Sequence, residues 1–533
     1  MAKDPAAHNK IDEVKQSHLL ANRRTDPDRT VSTAAAGVCF VAVVMALGLA
    51  RLHTVGGFGV ETDFYSSYGV EATNIVSGRA LYYPPHNAPG YGFVLAAATF
   101  FTGDAFTAGK VLSGLATGLI GWLMYLLLEQ LYDARIALAT VILLLIALIP
   151  FSYLAASDTV GTLSVILALW FFLRRSEHAP SHLFAAGILA GTAYVIRSTS
   201  MFLVPGIGVS ILLLNWREKL FRRAIAGLAM FLIGASVILL PWLEYQKLKY
   251  GSPAGPAAAV SYGAVAAHAY SPADDSDGRN NAKMGLQFRS LSDVVRFNPQ
   301  LFARRFAYGV LSNWATLTLT VLAFPGYLLV GAGALLLIRR LSPRQSAFFV
   351  PLCLGYLVAA LVGFTLRYYL FIFPVVFLAV AYFLFNSDVE RMLGRVANGR
   401  IPLNGLIFAV LVAAQTAHSY RLTRESLAAD PIYLVHIAQV LKNRASPHDF
   451  VVARRPHLAY LAGLASDSPQ AESAEEYLAY ARSTHARYIV YSDAEASGWK
   501  GLKSLGDPEK LPQAFHLIYR DQPTNTIIYE VTE

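Results

Sequence analysis

Two carboxylates and two arginines stand in this chain where an apolar protein has no structural use for them. Asp63 lies in a polar stretch, residues 61–92, that follows the first hydrophobic run. Asp158 falls in a turn between two apolar runs, Arg197 sits within VIRSTS, and Arg367 opens RYYLFIFP. Charge beside hydrocarbon is expensive, about 3 kcal/mol at a helix centre, so each such residue needs a reason. The planar guanidinium fork matches phosphate oxygens, and does so well near an interface. A carboxylate can take the proton of an attacking hydroxyl. The set suits transfer of a group from a lipid phosphate to an acceptor hydroxyl. Glu61, Tyr82, Tyr83 and His86 in the same polar stretch, and Tyr368 beside Arg367, are candidates for a sugar or acceptor pocket.

Each of these residues also has a structural reading. Asp63 and Asp158 could be helix N-caps. Arg197 and Arg367 could be interfacial anchors, and Tyr82 and Tyr83 members of an aromatic belt. His86 could be an ordinary loop histidine. Asp274, Asp275 and Asp277 lack the alternate spacing and closing Glu of a calcium loop and read as a solvated acidic stretch.

The elements that must position these groups are membrane helices. Only 15% of the 533 residues are charged and 55% are hydrophobic, against roughly a quarter charged in soluble domains. The apolar residues form continuous blocks, which indicates a polytopic α-helical membrane protein and excludes an alternating β-barrel. Spans are expected near residues 31–51, 105–128, 134–155, 159–173, 183–196, 199–214, 222–241, 311–338, 346–364, 368–385 and 401–418, about eleven helices by the 20-residue rule. The first reads as an uncleaved signal anchor behind a polar, disordered tail, residues 1–30. Residues 92–101 are apolar but too few to cross, so they are expected to form a half-helix or a juxtamembrane helix. Cys39 and Cys353 lie inside apolar runs and read as buried thiols.

Lys and Arg set the orientation. Lys10, Lys15, Arg23, Arg24 and Arg29, then Arg174 and Arg175, then Arg217, Lys219, Arg222 and Arg223, then Arg339, Arg340 and Arg344, and finally Arg391, Arg395 and Arg400 all fall on one side if the spans alternate. That side is expected to be the cytoplasm. The net charge of +9 belongs to these loops and does not indicate nucleic-acid binding. The outer side then holds loops 52–104 and 242–310, the turns at Asp158, Arg197 and Arg367, and everything after 418. Arginines there run against the positive-inside bias, which favours a phosphate-binding role. Loop 242–310, with its Gly/Pro/Ala-rich part, has the composition of a lid.

Residues 419–533 change character. Short β-branched and aromatic runs at 450–453, 488–491 and 526–531, with helical spacing at 473–483, predict a small soluble α/β domain outside the membrane. The chain shows no internal repeat, metal-type Cys/His spacing, phosphate-cradling glycine loop or nucleophile elbow.

The pattern Asp-Phe-Tyr…Ser-Gly-Arg-Ala-Leu-Tyr-Tyr-Pro-Pro, residues 63–85, resembles the first outer loop of the GT-C superfamily of integral-membrane glycosyltransferases, which includes protein O-mannosyltransferases and the lipid A aminoarabinose transferase. The likeness continues at Leu131–Tyr132, at Asp158, at Arg197 in GTAYVIRSTSMFLVP, at the Arg-Tyr-Tyr…Pro run 367–374, and at VVARRPHLAYLAGL, residues 451–464. The resemblance implies a glycosyltransferase in a bacterial plasma or inner membrane, taking a polyprenyl-phosphate sugar and an acceptor on the periplasmic or extracellular face. It implies an inverting reaction with Asp63 as base or acceptor-orienting group and Asp158 as the second-loop acid. Arg197 and Arg367 would lie at the donor phosphate. The family's Asp-Glu pair is replaced here by Glu61 and Asp63 around Thr62.

Cofactors are left open: Asp63 and Asp158 could share a divalent cation. The sugar, the prenyl length, and the choice of glycan, lipid or protein acceptor are open as well. The competing reading is a transporter or lipid-linked glycan flippase, for which paired repeats and midplane charges are expected instead.

Overall fold

The computed structural model describes residues 27–79, 87–174, 180–217, 221–252, 255–270, 284, 287–288, 290–339, 341–396, 402–469, 471–496 and 500–532. Tyr82, Tyr83, His86 and the acidic residues Asp274, Asp275 and Asp277 lie outside them. Among the described residues seven helices are long and apolar enough to cross a membrane, and four shorter apolar helices accompany them. Burial sorts these helices. The helix Phe373–Phe385 is apolar all round, and the segment Leu366–Phe385 that contains it has 72% of its span window buried, so it forms the centre of the bundle. In Phe221–Tyr250 only 22% of the window is buried, and its apolar surface is left for lipid.

Ala105–Leu131 packs on Pro27–Leu52, on Ala134–Leu148 and on Ser157–Leu173; Ser157–Leu173 packs in turn on Pro180–Ile196, which lies along Phe221–Tyr250. Two ends of the bundle are distinct. Arg344 donates to the Leu173 carbonyl at 2.8 Å and Gln345 to that of Leu131 at 2.8 Å. The turns after Leu131 and Leu173 therefore meet the basic 340s at one end. Asp158 begins the helix that Leu173 closes, and so marks the other end.

The expected span 311–338 is two helices, Pro299–Val321 and Gly326–Arg339. Pro325 has no N–H to give, and the residue before a proline is driven out of the helical region. The freed backbone groups are satisfied by buried Gln415, whose Oε1 accepts from Ala323 N at 3.0 Å and whose Nε2 donates to Val321 O at 2.9 Å. This is how a break inside a bundle is made tolerable. The short apolar segment is a helix, Gly90–Thr102, of 13 residues, about 20 Å long against the roughly 30 Å of hydrocarbon it would need to cross. Much of the 242–310 region is helical as well: Phe221–Tyr250 runs into it, and Gly255–Tyr270, Leu291–Phe297 and the start of Pro299–Val321 follow. The helix Gly255–Tyr270 is alanine-rich, and alanine is the strongest helix former.

The helix Leu403–Ala428 continues ten residues beyond its expected end, and the soluble domain opens with Tyr433–Arg444. Its five-stranded sheet has the order β2-β1-β3-β5-β4, with β1 Phe450–Val452, β2 Ala465–Asp467, β3 Tyr488–Ser492, β4 Phe515–Asp521 and β5 Thr526–Val531. β1 pairs parallel with β2 and β3, while β5 runs antiparallel to β3 and β4. The two strands missing from the sequence reading, β2 and β4, are the sheet edges, half exposed and without a clear alternation.

The loop after the first span lies between the two parts of the molecule. Phe64 and Tyr65 pack on Phe106 of the bundle and on Tyr460 of the soluble domain. The His457 ring sits 4.2 Å from that of Tyr65 and 5.0 Å from that of Phe58.

Candidate active site

Four separate segments bring the expected charges into one row. Arg367 enters on a short 3-10 turn, Leu366–Ile372, ahead of the central helix. Its Nη1 lies 3.0 Å from Asp63 Oδ2 and donates to Val60 O at 2.9 Å. Arg197 leaves the end of Pro180–Ile196 in extended conformation. Its Nη2 lies 2.7 Å from Asp158 Oδ1, and its Nη1 donates to Ser157 Oγ at 2.9 Å. The Tyr368 ring joins the two pairs: the Arg197 and Arg367 guanidinium carbons lie 5.4 and 5.3 Å from its centroid, within cation–π range. Gly161 makes room for this. A Cβ there would stand 3.0 Å from Arg197 Cδ, so the arginine stem would have to shift by a few tenths of an ångström.

The two pairs differ in solvation. The Asp158 side chain is 3% exposed and that of Asp63 is 39% exposed. The Asp158–Arg197 contact is close but off the hydrogen-bond axis, and among the described residues neither Asp158 oxygen has a hydrogen-bond partner. Asp158 lies in the fields of both guanidinium groups and of Asp63. Asp63 is bound through Oδ2 alone among the described contacts, and its side chain is half exposed.

Capping explains neither acid. Asp63 precedes the π-type turn Phe64–Tyr68 with helical backbone angles and makes no side-chain cap bond. Asp158 is inside the first turn of a helix whose N-cap is Ala156.

Glu61 faces another partner. It is 1% exposed, contacts His53 Nε2 at 3.0 and 2.9 Å, and accepts from Gly57 N at 2.9 Å and Ala155 N at 2.6 Å. Its oxygens are occupied by the protein itself, so the arrangement does not offer it to a sugar. The sequence reading also passed over Arg455, in the loop after β1. Its Nη1 donates to Thr62 Oγ1 at 2.9 Å, one residue from Asp63. Burial and then the adjacent Arg454 work against its positive charge, with Glu495 and Asp63 in partial compensation. Burial in turn lifts the Glu495 carboxyl to about 7 against the pull of both arginines. Arg455 lay inside the quoted motif VVARRPHLAYLAGL, but only the docking of the soluble domain brings it to Asp63.

Among the described residues no group of three His, Cys, Asp or Glu side chains is arranged to hold a metal ion. Asp63 and Asp158 each have a guanidinium within 3.0 Å, which supplies the positive charge beside each carboxylate.

A family model described as dolichyl-phosphate-mannose-protein mannosyltransferase matches residues 86–243. No curated protein matches the chain by sequence. Among solved structures, ArnT from Cupriavidus metallidurans bound to undecaprenyl phosphate superposes with a TM-score of 0.57 at 13% identity, over 92% of this chain and 97% of that one. The archaeal oligosaccharyltransferase AglB from Archaeoglobus fulgidus, in complex with an inhibitory peptide and a dolichol-phosphate, gives 0.54 at 14% identity over 94% of this chain and 74% of that one. The Archaeoglobus fulgidus oligosaccharyltransferase in complex with Zn and sulfate gives 0.54 at 14%, over 92% and 72%. At such identities the likeness establishes the fold. The chain is an integral membrane protein with the fold of these structures: a polytopic helical part followed by a small α/β domain. The expected resemblance is met in sequence by the family model over residues 86–243 and in fold over 92% of the chain.

Proposed function

We propose that this protein transfers a sugar from a polyprenyl-phosphate donor to an acceptor hydroxyl at the non-cytoplasmic membrane face, with inversion at the anomeric carbon. The observation that carries the reading is the row Asp63–Arg367–Tyr368–Arg197–Asp158, assembled from four segments at one end of the bundle. The solved relatives with undecaprenyl phosphate and dolichol-phosphate support the donor class.

The acceptor oxygen attacks the anomeric carbon, and its proton passes to Asp63 Oδ1. The bond from that carbon to the phosphate oxygen breaks, and both electrons leave with the polyprenyl phosphate. One displacement inverts the centre. Arg367 holds Asp63 by its other oxygen and, with Arg197, offers N–H donors to the phosphate as its charge develops. Asp158 keeps Arg197 oriented. The prenyl chain stays among membrane lipids beside the bundle. The helices of the 242–310 region close over the site and exclude water, which would otherwise hydrolyse the donor.

The basic loops at the other end of the bundle support a cytoplasmic position for that end by the positive-inside rule. The site and the soluble domain, which touch through Thr62 and Arg455, then share the outer face. The acceptor, whether glycan, lipid or protein, enters from the soluble-domain side.

The test is incubation of the purified protein in nanodiscs with a panel of polyprenyl-phosphate sugars, reading thermal unfolding and release of polyprenyl phosphate. A bound donor at a hundredfold its Kd adds about 2.7 kcal/mol of stability. If no member of the panel raises the unfolding temperature or is consumed, the reading is wrong.

A further inference from the structure

His53 sits 1% exposed just past the end of the first span, with a carboxylate on each ring nitrogen. Nδ1 lies 2.9 Å from Asp430 Oδ2, and Nε2 lies 2.9 and 3.0 Å from the two oxygens of Glu61. A neutral imidazole has a single N–H, and an ionised carboxylate only accepts. With a neutral ring, one carboxylate would face a lone pair at hydrogen-bond distance. With both carboxylates ionised, the two contacts are satisfied together by the imidazolium, donating from both nitrogens.

The three residues belong to three parts of the fold. His53 ends the first span, Glu61 is two residues before Asp63, and Asp430 follows the last long helix at the entrance to the soluble domain. Glu61 is further held by Gly57 N and by Ala155 N of the bundle. Gly56 lets the loop close on it, because a Cβ there would stand 2.9 Å from Glu61 and 2.8 Å from Tyr65. Asp430 also accepts from Thr54 N at 3.3 Å.

The charges around the ring balance. Lys110, from Ala105–Leu131, donates to the Ala50 and His53 carbonyls at 2.7 Å each. Two cations thus face two anions. Asp104 contributes to the field at Lys110 and at Tyr460, away from the His53 ring. The remaining neighbours are uncharged: the Phe106 and Tyr153 rings at 5.5 and 5.4 Å, and buried Tyr65 beside Glu61. From the soluble domain, His457 is kept neutral by burial, which lowers it to about 4, and Arg455 is engaged at Thr62.

We infer that His53 is a positioning residue for the reaction proposed above: as a doubly donating imidazolium it ties Glu61 to Asp430, and so fixes Asp63 opposite Arg367 with the soluble domain seated over the loop. The inference rests on that functional reading only for the consequence, since the clamp itself is a matter of geometry. Burial alone would lower the His53 pKa, but the hydrogen bonds to Asp430 and Glu61 outweigh it and raise it to about 9. The clamp therefore holds at neutral pH and opens as pH rises through about 9.

The experiment compares wild type with His53→Gln and with Asp430→Asn, which keeps the shape but removes one anion. Initial rates are measured from pH 6 to 10, together with donor-induced thermal stabilisation. Selective 15N-histidine NMR of the wild type, assigned with His53→Gln, reads the protonation state without any turnover.

In the wild type we expect kcat to fall above about pH 9, in step with loss of the His53 imidazolium signal. His53→Gln should lower kcat tenfold or more with little change in donor KM, and the alkaline limb should vanish. Asp430→Asn should move that limb towards neutral pH. An unchanged kcat and pH profile in His53→Gln would refute the positioning role while leaving the transferase reading intact. If no donor is turned over but the imidazolium persists to about pH 9, the functional reading fails and the clamp stands. If His53→Gln does not fold, Asp430→Asn and the wild-type resonance decide: a ring neutral at pH 7.5 overturns the inference.

Discussion

Replacing Asp63 with Asn separates chemistry from architecture, because the structure assigns very different magnitudes to the two. The Asp63–Arg367 contact spans 3.0 Å, with side chains 39% and 16% exposed. A pair that open to solvent contributes about 0–1 kcal/mol. Arg367 also keeps its bond to Val60 O, so the amide leaves no buried charge stranded. Unfolding should therefore shift by less than about 1 kcal/mol. Loss of a general base typically costs a factor of about 100 to 10,000 in rate, equal to about 3–5 kcal/mol of barrier. Asp63→Asn should thus lose at least two orders of magnitude in sugar transfer while its unfolding temperature and its stabilisation by donor stay near wild type. The assay is product formation from a polyprenyl-phosphate sugar alongside thermal unfolding in the same detergent. Transfer at more than about a tenth of the wild-type rate would remove Asp63 as the base. Destabilisation by several kcal/mol would instead make the pair structural.

The buried pair behaves in the opposite way. Arg197→Met strands Asp158, which is 3% exposed, and should cost about 3–5 kcal/mol of stability. Adding Asp158→Asn should recover a large part of that, as a double-mutant cycle of thermal midpoints would show. Arg455→Ala should raise the acceptor KM about tenfold, the worth of a charge-assisted hydrogen bond, and leave donor-induced stabilisation unchanged in the same nanodisc assay. Glu71 supplies a pH test of the first-loop packing. It is 1% exposed, its Oε1 lacks a partner, and burial pushes its pKa from 4.5 to about 8. A raised carboxyl costs stability as pH climbs from 4.5 to 8, by up to about 5 kcal/mol. Glu71→Gln should therefore raise the unfolding temperature at pH 8 and change little at pH 4.

Polarity patterns that depend on chain-local physics were readable in advance. Long apolar blocks must become helices in a bilayer, so the helical membrane part and the soluble tail with its inner strands were legible. Lone charges in apolar surroundings flagged Asp63, Asp158, Arg197 and Arg367. The break at Pro325 was readable only in part. Proline marks the site, but the partner that makes the break tolerable is Gln415, some 90 positions away. β2 and β4 escaped because edge strands carry no alternating pattern.

What the amino-acid order determined was the chemistry on offer: guanidinium and carboxylate groups at the ends of apolar segments, in motifs of a GT-C kind. Which partner each received was settled by packing. Glu61 and Asp63 are two residues apart, yet one is consumed by His53 and the Ala155 amide while the other meets Arg367 at a half-open surface. Arg455 became part of the site because the soluble domain folds back onto the first loop. Helical and strand periodicity are local properties. Desolvation and pairing depend on contacts between segments hundreds of residues apart, and those exist only once the bundle and the soluble domain have closed on the loop between them.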